Sequence, residues 1–160
     1  KKVIRKIGVS VYSPTELKNI LKKYKFDMVQ IPLNIFDRRF LKDNFLKKIK
    51  NSGIEIHARS IFMQGILLQN NNSRNKFFKN WKKLFLRWDN WNNDYQSKKV
   101  EACLNFFKNF KYVDKLVIGV SNIQEIQEII SILKNKKKSF PKKIFSNSKR
   151  LLEPRLWKKN

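Results

Sequence analysis

Apolar positions in this chain fall into short dense runs separated by stretches with helical spacing. Val3-Ile4-Arg5-Lys6-Ile7-Gly8-Val9-Ser10-Val11-Tyr12 follows Lys1 and Lys2 and is rich in β-branched residues. It predicts a buried strand. Ser13-Pro14-Thr15-Glu16 predicts a helix start, with Ser13 as N-cap, Pro14 at the first helical position and Glu16 closing a capping box. Leu17, Ile20 and Leu21 share one face of that helix. The unit then repeats. Phe26 to Leu33 predicts a second strand, and Asp37 to Asn51 a second helix that buries Phe40, Leu41, Phe45, Leu46 and Ile49. Gly53 suits the end of that helix. Ile54 to Ser60 predicts a third strand, Val100 to Phe110 a third helix, Lys115 to Val120 a fourth strand and Asn122 to Leu133 a fourth helix. Between the third strand and third helix, residues 69–97 are rich in Asn and Trp and are expected to form a long irregular surface stretch. Its aromatic residues, Phe77, Phe78, Trp81, Phe85, Trp88 and Trp91, partly follow helical spacing and are expected to anchor it on the exterior. Residues 134–160 are expected to be a basic irregular tail, with a short helix near Leu151 to Trp157.

Strands alternating with helices define an α/β protein with a parallel sheet and right-handed crossovers. Two architectures fit: a small open doubly wound sheet, or part of a (β/α)8 barrel, which takes about 250 residues when complete.

Composition narrows the function classes. The 160 residues are 41% hydrophobic and 13% aromatic, enough to build a core. No apolar run approaches the ~20 residues of a membrane span. No signal-peptide pattern is present, and a cytoplasmic location is expected. One cysteine, Cys103, and one histidine, His57, exclude an intrachain disulfide and any Cys- or His-rich metal site. The net charge of +25 is the unusual quantity. A polyanion partner would explain it. So would compositional drift, because Lys, Asn and Ile all have AT-rich codons. Residues 134–160 carry +10, and the remaining charge is spread along the chain rather than gathered in a stripe. Drift is the better account, and nucleic-acid binding is kept as the alternative.

Ligands of parallel sheets sit at the C-terminal strand ends. Those ends are Gly8 to Tyr12, Gln30 with Pro32-Leu33-Asn34, Ala58 to Gly65, and Gly119-Val120-Ser121-Asn122. The last runs straight into a helix, whose first N–H groups suit a phosphate or a simple N-cap. Gln30 is an amide on an otherwise apolar strand and requires a partner, from a ligand or from nearby backbone. Arg59 requires an anion or a carboxylate such as Asp37. Glu55, His57 and Arg59 share one strand face, and with no nucleophile beside it His57 is read as structural. Cys103 is read as core.

Taken in order, these strand ends resemble the aldo/keto reductases over residues 3 to 133. The segments that carry the likeness are Ile7 to Pro14, Val29 to Arg39, His57 to Leu67, and Val117 to Asn122, which look like that family's strands five to eight. The resemblance implies the C-terminal half of a (β/α)8 barrel and NAD(P)H-dependent reduction of a small-molecule carbonyl. It implies NADP as cofactor, with NAD possible. Ser10 and Gln30 would bind the nicotinamide carboxamide, and Arg59 stands where an aromatic often stacks on that ring. Ser60, Phe62, Gln64 and Gly65 would line the pyrophosphate loop. Gly119, Val120, Ser121, Glu125 and Glu128 would hold the adenosine end. Val11 replaces a common Asn, Glu125 a common Arg, and Ile129 an Asn that often contacts adenine. The family's Asp, Tyr, Lys and His tetrad belongs to strands one to four, so no residue here is assigned a catalytic role. The chain is expected to be a truncated product or a fragment that acts when joined to the missing N-terminal half. A half barrel that self-associates to bury its open edges is a further alternative.

Overall fold

A computed structural model describes residues 3–157 of the chain. Its strands are β1 (Gly8–Ser10), β2 (Met28–Pro32), β3 (Glu55–Arg59) and β4 (Lys115–Leu116). They form one sheet in the order β1-β2-β3-β4, and every neighbouring pair is parallel. Helices or turns connect them, and strands that follow one another in sequence are neighbours in the sheet.

The capping residues act as the sequence predicts. The Ser13 hydroxyl accepts the Glu16 N–H (3.1 Å), and the Glu16 carboxylate takes the Tyr12 N–H (2.6 Å), opening α1 (Pro14–Leu21). Asn122 and Glu125 repeat the device at α5 (Ile123–Lys134): Asn122 accepts the Glu125 N–H (2.9 Å), and Glu125 accepts that of Ser121 (2.8 Å). Val11, Val29, Ile31, Ile56 and Ala58 are fully buried on the helix side of the sheet. Gly8 is required by close approach, since a Cβ there would lie 2.7 Å from the Met28 carbonyl oxygen.

Four expectations need correction. The first strand spans only Gly8–Ser10, and Val3, Ile4 and Ile7 are exposed, because β1 is an edge with a partner on one side alone. The second helix does not run from Asp37. Residues Arg39–Asn44 form 3-10 turns broken at Lys42, Asp43 and Asn44, and the regular helix is α2 (Phe45–Asn51). Asp43 and Asn44 sit in the left-handed region, which their short polar side chains tolerate. The 69–97 stretch is not irregular throughout. It contains α3 (Lys82–Asp94), whose Phe85, Trp88 and Asn92 are buried. Here packing of large aromatics overrides the poor helix propensity of Asn and Asp. Lastly, the C-terminal segment is built into the core through Ile144, Leu151 and Leu152, the last two in α6 (Lys149–Leu152). Lys1, Lys2 and residues 158–160 lie outside the described residues.

Two adjacent arginines attach that segment. Arg38 donates to the carbonyls of Ile35, Pro141, Lys142 and Ile144 at 2.6–3.3 Å and lies over the rings of Phe106, Phe140 and Phe145. Burial lowers its pKa to about 10, so it stays charged at neutral pH. Arg39 pairs with Asp37 (2.8 Å) and Glu153 (3.3 Å), both almost fully buried, and donates to the Tyr12 carbonyl (3.1 Å).

Cys103 lies fully buried in α4 (Lys99–Phe107), and burial pushes its thiol pKa up. A low thiolate fraction and no access make it inert. It should resist a disulfide-exchange reagent in native buffer and react stoichiometrically in denaturant; full reaction in native buffer would show that α4 opens readily.

Candidate functional site: a groove along the strand ends

Opposite the helices, the sheet presents Gly8 and Ser10 from β1, Met28 and Gln30 from β2, and Glu55, His57 and Arg59 from β3. Ser10 pairs in register with Gln30, and Gln30 with His57. The side chain of Gln30 is half-buried and has no hydrogen-bond partner among the described residues. Arg59 does not pair with Asp37, whose carboxylate is held by Arg39. Instead its guanidinium donates to the Ser10 hydroxyl (3.3 Å), the Ser60 hydroxyl (3.2 Å) and the Val11 carbonyl (3.2 Å), and covers the Tyr12 ring at 4.5 Å. Arg155 approaches the same ring at 3.8 Å. His57 Nε2 donates to Glu55 (2.8 Å), which also holds Lys6 (2.5 Å) and Lys115 (3.1 Å). Hydrogen bonds from Lys6, His57 and Lys115 keep the Glu55 carboxyl well below the usual carboxylate range.

The loop after β3 is unusually wound. Ser60, Met63, Gln64 and Gly65 all have positive φ, between 50° and 81°. Only Gly65 adopts this without penalty. Buried Ile61 and Met63 pin the loop from beneath, and the buried Asn34 amide donates to the Ser60 carbonyl (3.0 Å). Backbone held in this region by its surroundings is a mark of ligand-binding loops.

A cleft of about 360 Å³ is lined by Gln30, Arg59, Ser60, Phe62, Gln64, Gly65 and Gly119 among others. A second, of about 480 Å³, shares Phe62 and Gly119 with it and continues to Val120, Glu125, Glu128 and Ile129. The two form one groove from the sheet face to α5. Ten of the twelve residues expected at a cofactor site thus line one continuous surface. The others are Ser10, which reaches the groove through Arg59, and Ser121, whose N–H is held by Glu125.

Sequence reasoning missed Lys98, Lys99, Leu68 and Asn70, which line the α5 end. Lys98 pairs with Glu128 (3.0 Å), while Lys99 pairs with Asp89 (2.8 Å) and donates to the Asn70 side chain (2.9 Å). Two lysines among 37 basic residues carry no signal of their own. Gln69, between Leu68 and Asn70, keeps a buried side-chain oxygen without a partner.

Comparison with known proteins fits this geometry. The sequence profile of the Aldo/keto reductase family matches residues 3–145. The chain therefore belongs to the aldo/keto reductase family, whose members are oxidoreductases. No curated protein matches it significantly. Among solved structures, an aldo-keto reductase from Bacillus halodurans in its apo form is similar with a TM-score of 0.67 at 20% identity, covering 86% of this chain and 48% of its own. The holo form of that enzyme gives 0.61 at 18%, covering 86% and 47%. A glycerol dehydrogenase from Gluconobacter oxydans gives 0.52 at 19%, covering 81% and 49%. These likenesses show the fold: an α/β chain whose parallel sheet matches (β/α) barrel enzymes. The chain spans about half the length of these structures. Among the described residues, no helix is long and apolar enough to cross a membrane.

Proposed function

We propose that this chain is the cofactor-binding, C-terminal half of a nicotinamide-dependent aldo/keto reductase acting on a small carbonyl compound. The observation that carries the proposal is the groove itself, because residues from the ends of β2, β3 and β4 converge on it and the end of β1 reaches it through Arg59. The residues present fit such a cofactor. Gln30 offers an unpaired amide to a carboxamide, and Ser10 a hydroxyl beside it. The wound 60–65 loop offers backbone N–H groups, with Arg59, Lys98 and Lys99 nearby as cations for a diphosphate. Phe62, Val120 and Ile129 offer apolar surface at the α5 end. The bound cofactor would supply the hydride. NADPH is the expected form, with NADH as the alternate. The proton donor for the carbonyl oxygen would come from a further (β/α)4 half, so the chain alone should bind cofactor and not turn over.

The test is a fluorescence titration of the folded chain with NADPH and NADH at moderate salt. Saturable binding is expected, weakened about tenfold in Gln30→Leu by loss of one amide pairing. No binding by a folded chain, or unchanged affinity in Gln30→Leu, would overturn the assignment.

A further inference from the structure

Acidic residues are absent from residues 56–88 and 129–152, the two longest such stretches of the chain. The sequence keeps them apart, and the fold sets them side by side. Arg87 donates to the Lys143 carbonyl (3.2 Å), and Arg150 lies over the Phe77 ring at 5.3 Å. Charge that is spread along the sequence is thereby gathered on one face. Lys76, Lys79, Lys82, Arg87, Lys143 and Arg150 are exposed there. None of the six has an ion-pair partner among the described residues.

A cleft of about 520 Å³ opens on this face. Its floor is made by the buried rings of Phe78 and Phe85 and by Arg74. The Arg74 side chain is 2% exposed and is committed to Asp89 (2.8 Å) and to the Ile66 and Gln69 carbonyls, so it fixes the floor. The rim carries Lys76, Lys79 and Lys82 with the amides of Asn71, Asn72 and Asn75. Lys76–Trp81 form a 3-10 helix that leads directly into α3. Three residues per turn bring positions i and i+3 into line, so the three ammonium groups make a row with a repeat of about 6 Å. Like charges in such a row repel, and a bound polyanion relieves them.

That repeat is on the scale of the separation between successive phosphates of an extended strand. The asparagine amides can donate to and accept from base edges, and Phe77, half-buried beside the row with Arg150 over it, supplies planar surface for stacking. A duplex is too thick for a cleft of this volume, and a membrane surface is too flat to enter it. We propose that this cleft binds single-stranded nucleic acid, with Lys76, Lys79 and Lys82 on the phosphates. The cleft shares no lining residue with the groove along the strand ends, so the proposal does not depend on the cofactor reading.

The test is fluorescence anisotropy of a labelled mixed-sequence strand of about 12 nucleotides, as RNA and as DNA, titrated with the chain at several salt concentrations. Saturable binding is expected, with log affinity falling against log salt at a slope of about −2 or steeper, for three phosphates at about −0.7 each. Lys76→Gln/Lys79→Gln/Lys82→Gln should bind at least tenfold more weakly and flatten that slope by about 2. Lys22→Gln/Lys23→Gln/Lys47→Gln removes the same charge from exposed positions outside the face and should change affinity less than twofold. Both variants should keep the parent's circular dichroism and NADPH titration. If the first variant misfolds, Lys79→Gln decides against Lys23→Gln, with at least a twofold loss expected in the former alone. Absence of binding would overturn the proposal. So would equal losses in the two variants, which would assign binding to net charge. Equally tight binding of a duplex of the same sequence, or of phosphatidylserine vesicles, would overturn it too.

Discussion

Replacing Arg39 with Met is expected to lower the free energy of unfolding by about 3–5 kcal/mol, the usual consequence of stranding buried carboxylates. Asp37 and Glu153 would lose a shared cation, with side chains only 1% and 2% exposed. The Tyr12 carbonyl would lose its guanidinium donor as well. The pH dependence has a definite sign. Burial alone would raise the Glu153 carboxyl, but Arg155 and Arg39 outweigh it and hold the pKa below the ordinary value. A carboxyl depressed on folding contributes stability above its unfolded pKa and loses it as pH falls through the folded one. The gap between parent and Arg39→Met should accordingly be full at neutral pH and narrow in acid. Urea unfolding followed by circular dichroism at several pH values checks both points. A loss below about 1 kcal/mol at neutral pH would mean that Arg155 satisfies Glu153 and that Asp37 is tolerated without its cation.

Trp88→Ala should have a comparable effect, about 3–5 kcal/mol, as expected for truncating a fully buried aromatic. Trp88 stacks on Trp91 with centroids 6.1 Å apart and meets Phe36 edge-on at 6.3 Å. Its indole N–H donates to the Leu67 carbonyl at 2.9 Å. Leu67 follows the wound 60–65 loop and precedes Leu68 of the groove lining. The variant should therefore lose groove order as well as packing. Trp88→Phe retains most of the ring volume and drops the hydrogen bond, and its loss should be nearer 1–2 kcal/mol. Thermal melts of the two variants separate the contributions. Equal losses would assign the whole effect to the Leu67 hydrogen bond.

The parts of this fold legible in the sequence are those specified locally. Ser13-Pro14-Thr15-Glu16 and Asn122 with Glu125 announce helix starts because a cap needs only neighbouring residues. Apolar runs around Val29 and Ile56 announce buried strands for a similar reason. Parallel order then places ligands at strand ends, which is why Gln30, Arg59 and Gly119 stand out in the sequence. The missed features depend on distant partners. Helix α3 is made by the burial of Phe85 and Trp88, not by the propensity of its Asn residues. Arg38 meets carbonyls more than 100 positions away, and no local pattern marks a segment as the one it will grip. The same holds for Lys98 and Lys99, which differ from other lysines only in their location.

The return of the C-terminal segment has a consequence for how the molecule comes apart. In a linear stack of β/α units each end frays alone, because every unit touches only its neighbours. Here Glu153 and Arg155 sit against Arg39 and Tyr12, at the opposite end of the chain from α5. Glu153 and Arg155 are thus a clasp on the first units. Cutting the connection after α5, or trimming the clasp, should release β1 as readily as it releases the segment itself. One cooperative transition, rather than end-first peeling, is the behaviour this topology imposes.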